Sequence, residues 1–183
     1  MASPGTLWDM FDVSVVYLQR AREGVTEVLL GEKRTGLGVG KIVGPGGKVE
    51  PGETPLDAAL REVYEEVGVE IQSADLLQIA RIEYPFVDRP HYSQRSHAFV
   101  ATTFVGTPAA SPELLPSWWP LEELPLDQMW SDAKLWLPRA LAGEYLDATF
   151  EISPTDQVHS SRMSWSTLSK NKGRASRLPI QRI

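Results

Sequence analysis

The stretch from Thr54 to Gly68 constrains this chain most, because it punctuates a helix at both ends and stripes it in between. Thr54 is a candidate cap for the first turn. Pro55 suits the first helical position, where an N–H would have no partner, and Asp57 sets negative charge against the positive end of the helix dipole. Gly68 suits the left-handed residue that ends many helices. The spacing predicts a helix over about 55–67. At ~100° per residue, Leu56, Leu60, Val63 and Val67 share one apolar stripe, which needs a sheet to pack on.

The flanking segments supply that sheet. Residues 11–19 (FDVSVVYLQ) and 25–31 (VTEVLLG) read as strands. Residues 36–47 hold six glycines and Pro45, a loop with at most a short strand at Ile42 and Val43. A short extended piece is expected at 48–50, before the turn Pro51-Gly52. Longer strands are expected at 76–86 and 96–106, a loop at 107–116, a short strand at 117–121 and a helical turn at 122–124. A second helix is expected at 132–142, with Pro138 kinking it or near its start, and an edge strand at 144–152. The expected fold is one α/β domain over residues 1–152, a mixed β-sheet sandwiched between α-helices. The chain is long enough to bury a core without staples. Having no cysteine, it can hold no disulfide, thiolate metal site or thiol nucleophile.

Glu62, Glu65 and Glu66 share the helix at i, i+3 and i+4. That spacing sets three carboxylates within about 100° of arc, on the face expected to point away from the apolar stripe. They repel one another, and a hard cation such as Mg²⁺, which favours a few carboxylates, water and phosphate oxygens, would relieve the repulsion. Taken alone, such a cluster is most often a solvated acidic face.

Its context carries more. From Gly47 the chain reads GKVEPGETPLDAALREVYEEVGV. This run resembles the Nudix hydrolase signature without a gap, with Gly47, Glu53, Arg61, Glu62, Glu65, Glu66 and Gly68 at its fixed positions and Val63 and Val69 in its aliphatic slots. The resemblance implies a Nudix fold and hydrolysis of a nucleoside diphosphate linked to another moiety. It implies a Mg²⁺ site, or Mn²⁺ in its place, at Glu62, Glu65 and Glu66 beside Gly47. Glu53 would be a further ligand or a residue orienting water, and Arg61 would pair with a glutamate and fix its rotamer. Which glutamate acts as base is left open. Lys48 would touch phosphate, or be a solvated lysine.

Outside the signature the chain resembles the MutT-type hydrolases of oxidised purine nucleoside triphosphates, particularly their eukaryotic subgroup. The resemblance lies in residues 36–49 (GLGVGKIVGPGGKV) and 129–137 (MWSDAKLWL). It implies that Trp130 stacks on or edges the base and that Asp132 bonds its polar edge, with Lys33, Leu37 and Val43 in the substrate-binding set. The alternatives are packing for Trp130 and a helix cap for Asp132; Trp136 reads as core. The subgroup carries asparagine at Val43, a second aspartate at Ala133 and phenylalanine at Leu37. Two polar base-reading groups are thus missing, which implies relaxed or shifted base selectivity. Pro85, 16 residues beyond Val69, matches ADP-ribose pyrophosphatases instead, although a strand-edge role explains it equally. From another class, the rival is a nucleotide-binding module without turnover. His97 is expected to be structural or to line a pocket.

The net charge of −6 is uneven: residues 153–183 hold six basic side chains and one acid, leaving −11 on residues 1–152. An acidic body argues against a nucleic-acid polymer as partner. The basic tail is expected to be flexible, with its protein partner unknown. No apolar run approaches a membrane span, and residues 1–12 lack the order of a secretory signal, so a cytoplasmic location without membrane contact is expected.

Overall fold

The structure, a computed structural model, describes residues 10–168. Among these, nine strands and two α-helices form one mixed sheet with a helix on each face. The strands are β1 (Phe11–Arg22), β2 (Val25–Lys33), β3 (Ile42–Val43), β4 (Gly46–Lys48), β5 (Leu77–Tyr84), β6 (Gln94–Ala101), β7 (Leu114–Pro120), β8 (Glu144–Ile152) and β9 (Val158–Thr167). The helices are α1 (Pro55–Val67) and α2 (Ala133–Leu141). The hydrogen-bonded order is β3-β2-β1-β6-β5-β8-β9, with β4 beside β1 and β7 beside β2. The pairs β1–β6 and β5–β8 are parallel, and the others antiparallel.

Strand alternation divides the core in two. Val16 and Leu18 of β1 and Phe99 of β6 point toward α1, where they meet Ala59, Val63 and Val67. Tyr17, Ala98, Ile82 and Leu146 point the other way and pack under α2 through Trp136, Leu137 and Ala140. The α1 punctuation is as expected. The Asp57 N–H donates to Thr54 Oγ1 and the Thr54 N–H to Asp57 Oδ2, each at 3.1 Å. Gly68 takes a left-handed φ of 72° and its N–H caps the Tyr64 carbonyl.

Several boundaries differ from expectation. The short piece expected at 48–50 is β4, two residues earlier, paired along β1. β6 ends at Ala101 rather than near 106. β7 begins at Leu114, inside the expected loop, and pairs with residues 27–33. Leu114, paired with Lys33, is fully buried because Gly31 two residues along β2 leaves space for its side chain.

The largest correction concerns the tail. The sheet does not end at residue 152: β9 pairs along the whole of β8, so residues 158–167 belong to the domain and not to a patternless extension. β9 is polar on both faces apart from Val158, Met163 and Trp165, so it lacks the alternation that marks strands. Its order comes from the backbone ladder to β8, whose Leu146, Ala148, Phe150 and Ile152 are buried. The basic residues from Lys170 onward lie outside the described residues.

Candidate active site

β4, the loop behind it and α1 bring the signature residues together. Arg61 is the hub. Its Nε and Nη2 donate to the two carboxylate oxygens of Glu53 at 2.7 and 2.9 Å. Nη1 donates to Glu62 at 2.8 Å and Glu65 at 3.1 Å, and Nη2 also reaches the Lys48 carbonyl at 3.0 Å. Four acceptor groups on β4, the loop and α1 are thus tied to one planar guanidinium, whose fork suits bidentate pairing. Bonding to Arg61, helped by the Glu50 N–H, brings the Glu53 carboxyl down to about 2.

Glu66 does not lie on a solvated face. It is 4% exposed, and its Oε2 accepts the Gly46 N–H at 2.8 Å. Burial lifts its carboxyl to about 7 despite that bond and the positive charge of Lys33. Burial also raises Glu62, against the pull of Arg61. Glu65 is the exposed member. The two glycines of β4 make this approach possible. A Cβ on Gly47 would collide with the Glu62 carboxylate, and one on Gly46 with the Ser14 carbonyl and the Val15 backbone.

The donor set fits a hard divalent cation: oxygen ligands only, several of them carboxylates, on a helix and a strand held against each other. Gly47 leaves room beside Glu62 that any side chain would fill. Among the described residues no three such side chains converge as they stand, since Arg61 engages Glu53, Glu62 and Glu65.

Beyond this cluster lies a groove of about 800 Å³ lined by Lys33, Leu37, Gly47, Lys48, Tyr92 and Glu113 among others. Lys48 Nζ sits 4.6 Å over the Phe11 ring. The groove continues into a cavity of about 140 Å³ under α2, and Val15, Val43, Gly44, Gln94 and Trp130 line both. A void near 150 Å³ holds one benzene-sized ring, so the inner cavity suits one ring of a flat base, and the groove suits the rest of it and the charged groups attached.

Asp132 closes the inner end. It does not cap α2: its backbone is already helical and its side chain makes no cap bond. The carboxylate turns inward, 4% exposed, and Oδ2 accepts from Tyr84 Oη at 2.7 Å and Trp136 Nε1 at 2.8 Å. Burial raises its carboxyl above the ordinary range, opposed by those two bonds. Trp136 is core as expected, and it also fixes Asp132. Trp130 forms a cavity wall with one edge on Gly38, Lys41 Nζ 4.8 Å over its ring and Phe86 edge-on to it.

Sequence reasoning missed Glu113, whose negative charge reaches both Glu62 and Glu66 from the start of β7. It also missed Tyr17, Tyr84, Gln94 and Ser96, which line the cavity from three strands. None lies in a motif; only the alternation of β1, β5 and β6 could have placed them on one face. His97 is not in the cavity, and its Nε2 pairs with Asp12 Oδ1 at 2.7 Å on the α1 side. Pro85 has a backbone role, its carbonyl accepting the Ile152 N–H at 2.9 Å.

A mixed sheet between helices, with a glycine-backed carboxylate helix on one face, defines a hydrolase class, and the chain belongs to the Nudix hydrolase family. The Nudix domain matches residues 10–140. An oxidized purine nucleoside triphosphate hydrolase of Danio rerio is 41% identical over 131 residues, 72% of this chain and 82% of the relative. The Mus musculus protein of the same name is 36% identical over the same shares. A MutT protein from Bacillus halodurans has the same fold, with TM-score 0.70, 24% identity, and coverage of 84% of this chain and 97% of that one. Nudix hydrolases generally use divalent metal ions, and their relatives here bind nucleotides. Among the described residues, no helix is long and apolar enough to cross a membrane.

Proposed function

We propose that this protein hydrolyses oxidised purine nucleoside triphosphates, such as 8-oxo-dGTP, to the monophosphate and pyrophosphate, with Mg²⁺ as cofactor. The observation that carries this reading is the continuity of two unlike spaces. A cavity lined by Asp132 opens directly onto a groove bounded by Lys33, Lys48, Glu113 and the two glycines, Gly46 and Gly47, that back the carboxylates of the helix. The names of the Danio and Mus relatives point to the same substrate class.

The residues divide the work by position. Asp132, held by Tyr84 and Trp136, accepts a polar edge of the base, and Trp130 covers a ring face. Lys33 and Lys48 face the groove and offset phosphate charge. Glu62, Glu65 and Glu66, with Gly47, would hold a divalent cation that polarises phosphoryl oxygens and makes water a better nucleophile. Arg61 sets the rotamers of Glu53, Glu62 and Glu65.

A product-resolved assay with Mg²⁺ tests the reading on ordinary and oxidised nucleoside triphosphates, ADP-ribose and dinucleoside polyphosphates. The expected result is highest kcat/KM on an oxidised purine triphosphate, with release of pyrophosphate. Preference for ADP-ribose, releasing a sugar phosphate, would refute it. Glu65→Gln and Glu66→Gln should each cost several kcal/mol of transition-state stabilisation.

A further inference from the structure

The cavity is apolar on one wall and carries unpaired polar groups on another. Val43 and Ala133, both lining it, are apolar. Across from them, β6 presents Gln94 and Ser96 on one face at i and i+2. Neither side chain has a hydrogen-bond partner among the described residues. Ser96 is only 8% exposed. Yet no enclosed side-chain N or O atom lacks a partner, so its hydroxyl opens on the cavity. Buried polar groups left unpaired are costly, and a ligand that pairs them gains what water would otherwise supply.

Position along the cavity says which part of a base they meet. The sugar and phosphates lie toward the groove, so the atoms nearest N9 of a purine sit at the mouth. Gln94 lines both cavity and groove, which puts it at that mouth, whereas Asp132 lines only the cavity. Of the five residues shared by the two spaces, only Gln94 and Trp130 have polar side chains, and the indole Nε1 edge of Trp130 lies against Gly38. C8 is bonded to N9. With its five-membered ring turned to β6, an 8-oxopurine brings its new carbonyl to the mouth and a new N7–H one step further in, on the side of Ser96.

We propose that Gln94 is the residue by which this enzyme tells an oxidised purine from its parent, its carboxamide N–H donating to the C8 oxygen. Ser96 lies beside N7. Its hydroxyl accepts from N7–H of the oxidised base but donates equally well to N7 of the parent, so it binds both and selects little. Base selectivity thus resides on the β6 wall rather than on the β3 and α2 walls. This rests on the triphosphatase reading above and adds the group that makes the choice.

The test compares wild type, Gln94→Leu, Gln94→Glu and Ser96→Ala by kcat/KM on 8-oxo-dGTP and dGTP. Calorimetric Kd values for the 8-oxo-dGMP and dGMP products accompany them, and urea melts check folding. One neutral hydrogen bond predicts that Gln94→Leu lowers the 8-oxo/parent ratio by about tenfold in both measurements. Gln94→Glu, which sets an acceptor against the C8 oxygen, lowers it further. Ser96→Ala weakens both nucleotides and moves the ratio by less than about threefold. A folded Gln94→Leu protein that keeps the wild-type ratio overturns the proposal and leaves the triphosphatase reading standing. A wild type that does not favour the oxidised nucleotide, or cleaves no purine triphosphate, overturns both.

Discussion

Removing the Asp132 carboxylate should damage the fold, and replacing it by its amide should not. Oδ2 takes two neutral donors, Trp136 Nε1 inside the core and Tyr84 Oη at the cavity. In Asp132→Ala the indole N–H is stranded, at ~1–3 kcal/mol for a buried unpaired donor, while the phenol can turn to cavity water and loses ~0.5–1.5 kcal/mol. The sum is about 2–4 kcal/mol, which for a chain of this size lowers Tm by roughly 4–16 °C. Asp132→Asn keeps an acceptor and should lie within about 1 kcal/mol of wild type near pH 4. The pH dependence separates them further. Burial raises the Asp132 carboxyl, so the folded protein keeps a proton that the unfolded chain has released. That contribution is complete below the ordinary 3.8 and disappears as pH climbs through the folded value, so stability falls with rising pH. Asparagine has no such loss, and Asp132→Asn should gain on wild type between pH 4 and pH 8. Urea melts of the three proteins at both pH values measure this. An Asp132→Ala protein as stable as wild type would refute the claim that the carboxylate organises this end of the cavity.

Three further outcomes follow from other parts of the molecule. Gly46→Ala sets its Cβ against backbone and should cost ~1–3 kcal/mol of stability, whereas Gly47→Ala meets only the movable end of Glu62 and should leave stability within ~1 kcal/mol while cutting turnover; paired melts and kcat values separate the two. In metal-free protein, Glu66 at about 7 against the ordinary 4.5 loses roughly 3 kcal/mol of stability as pH rises across that interval, so Glu66→Gln should overtake wild type by about that much from pH 4 to pH 8. Parallel melts with the same slope for both would contradict the burial argument. Ending the chain at Ile152 removes β9, its ladder to β8 and the Val158 N–H donated to Ser131 beside Asp132. That truncation should lose cooperative unfolding in circular dichroism, while one ending at Leu168 keeps it.

What could be read from the sequence was what local rules write. α1 was legible from its caps, its stripe and its glutamates, all within 15 positions of one another. The positions of Trp130 and Asp132 came through resemblance, though the role of Asp132 as a buried acceptor needed Tyr84, 48 residues away. β9 and the start of β7 were missed for a common reason: their order comes from backbone pairing with an already folded neighbour, which leaves no mark of its own in hydropathy. The burial of Glu66 was not legible because helical spacing sets its direction but not the arrival of β4, which covers it.

The division of the core into two layers has a bearing on how such proteins diverge. The carboxylate helix is anchored by one cluster of side chains and the base cavity by another, on the opposite face of the sheet. A replacement at Ala133, which belongs to the cavity cluster, alters what is recognised without disturbing the packing that aligns the glutamates. A lineage can therefore explore new nucleobases one substitution at a time, with its hydrolytic machinery intact throughout, because drift in one storey of the building is not transmitted through the floor to the other.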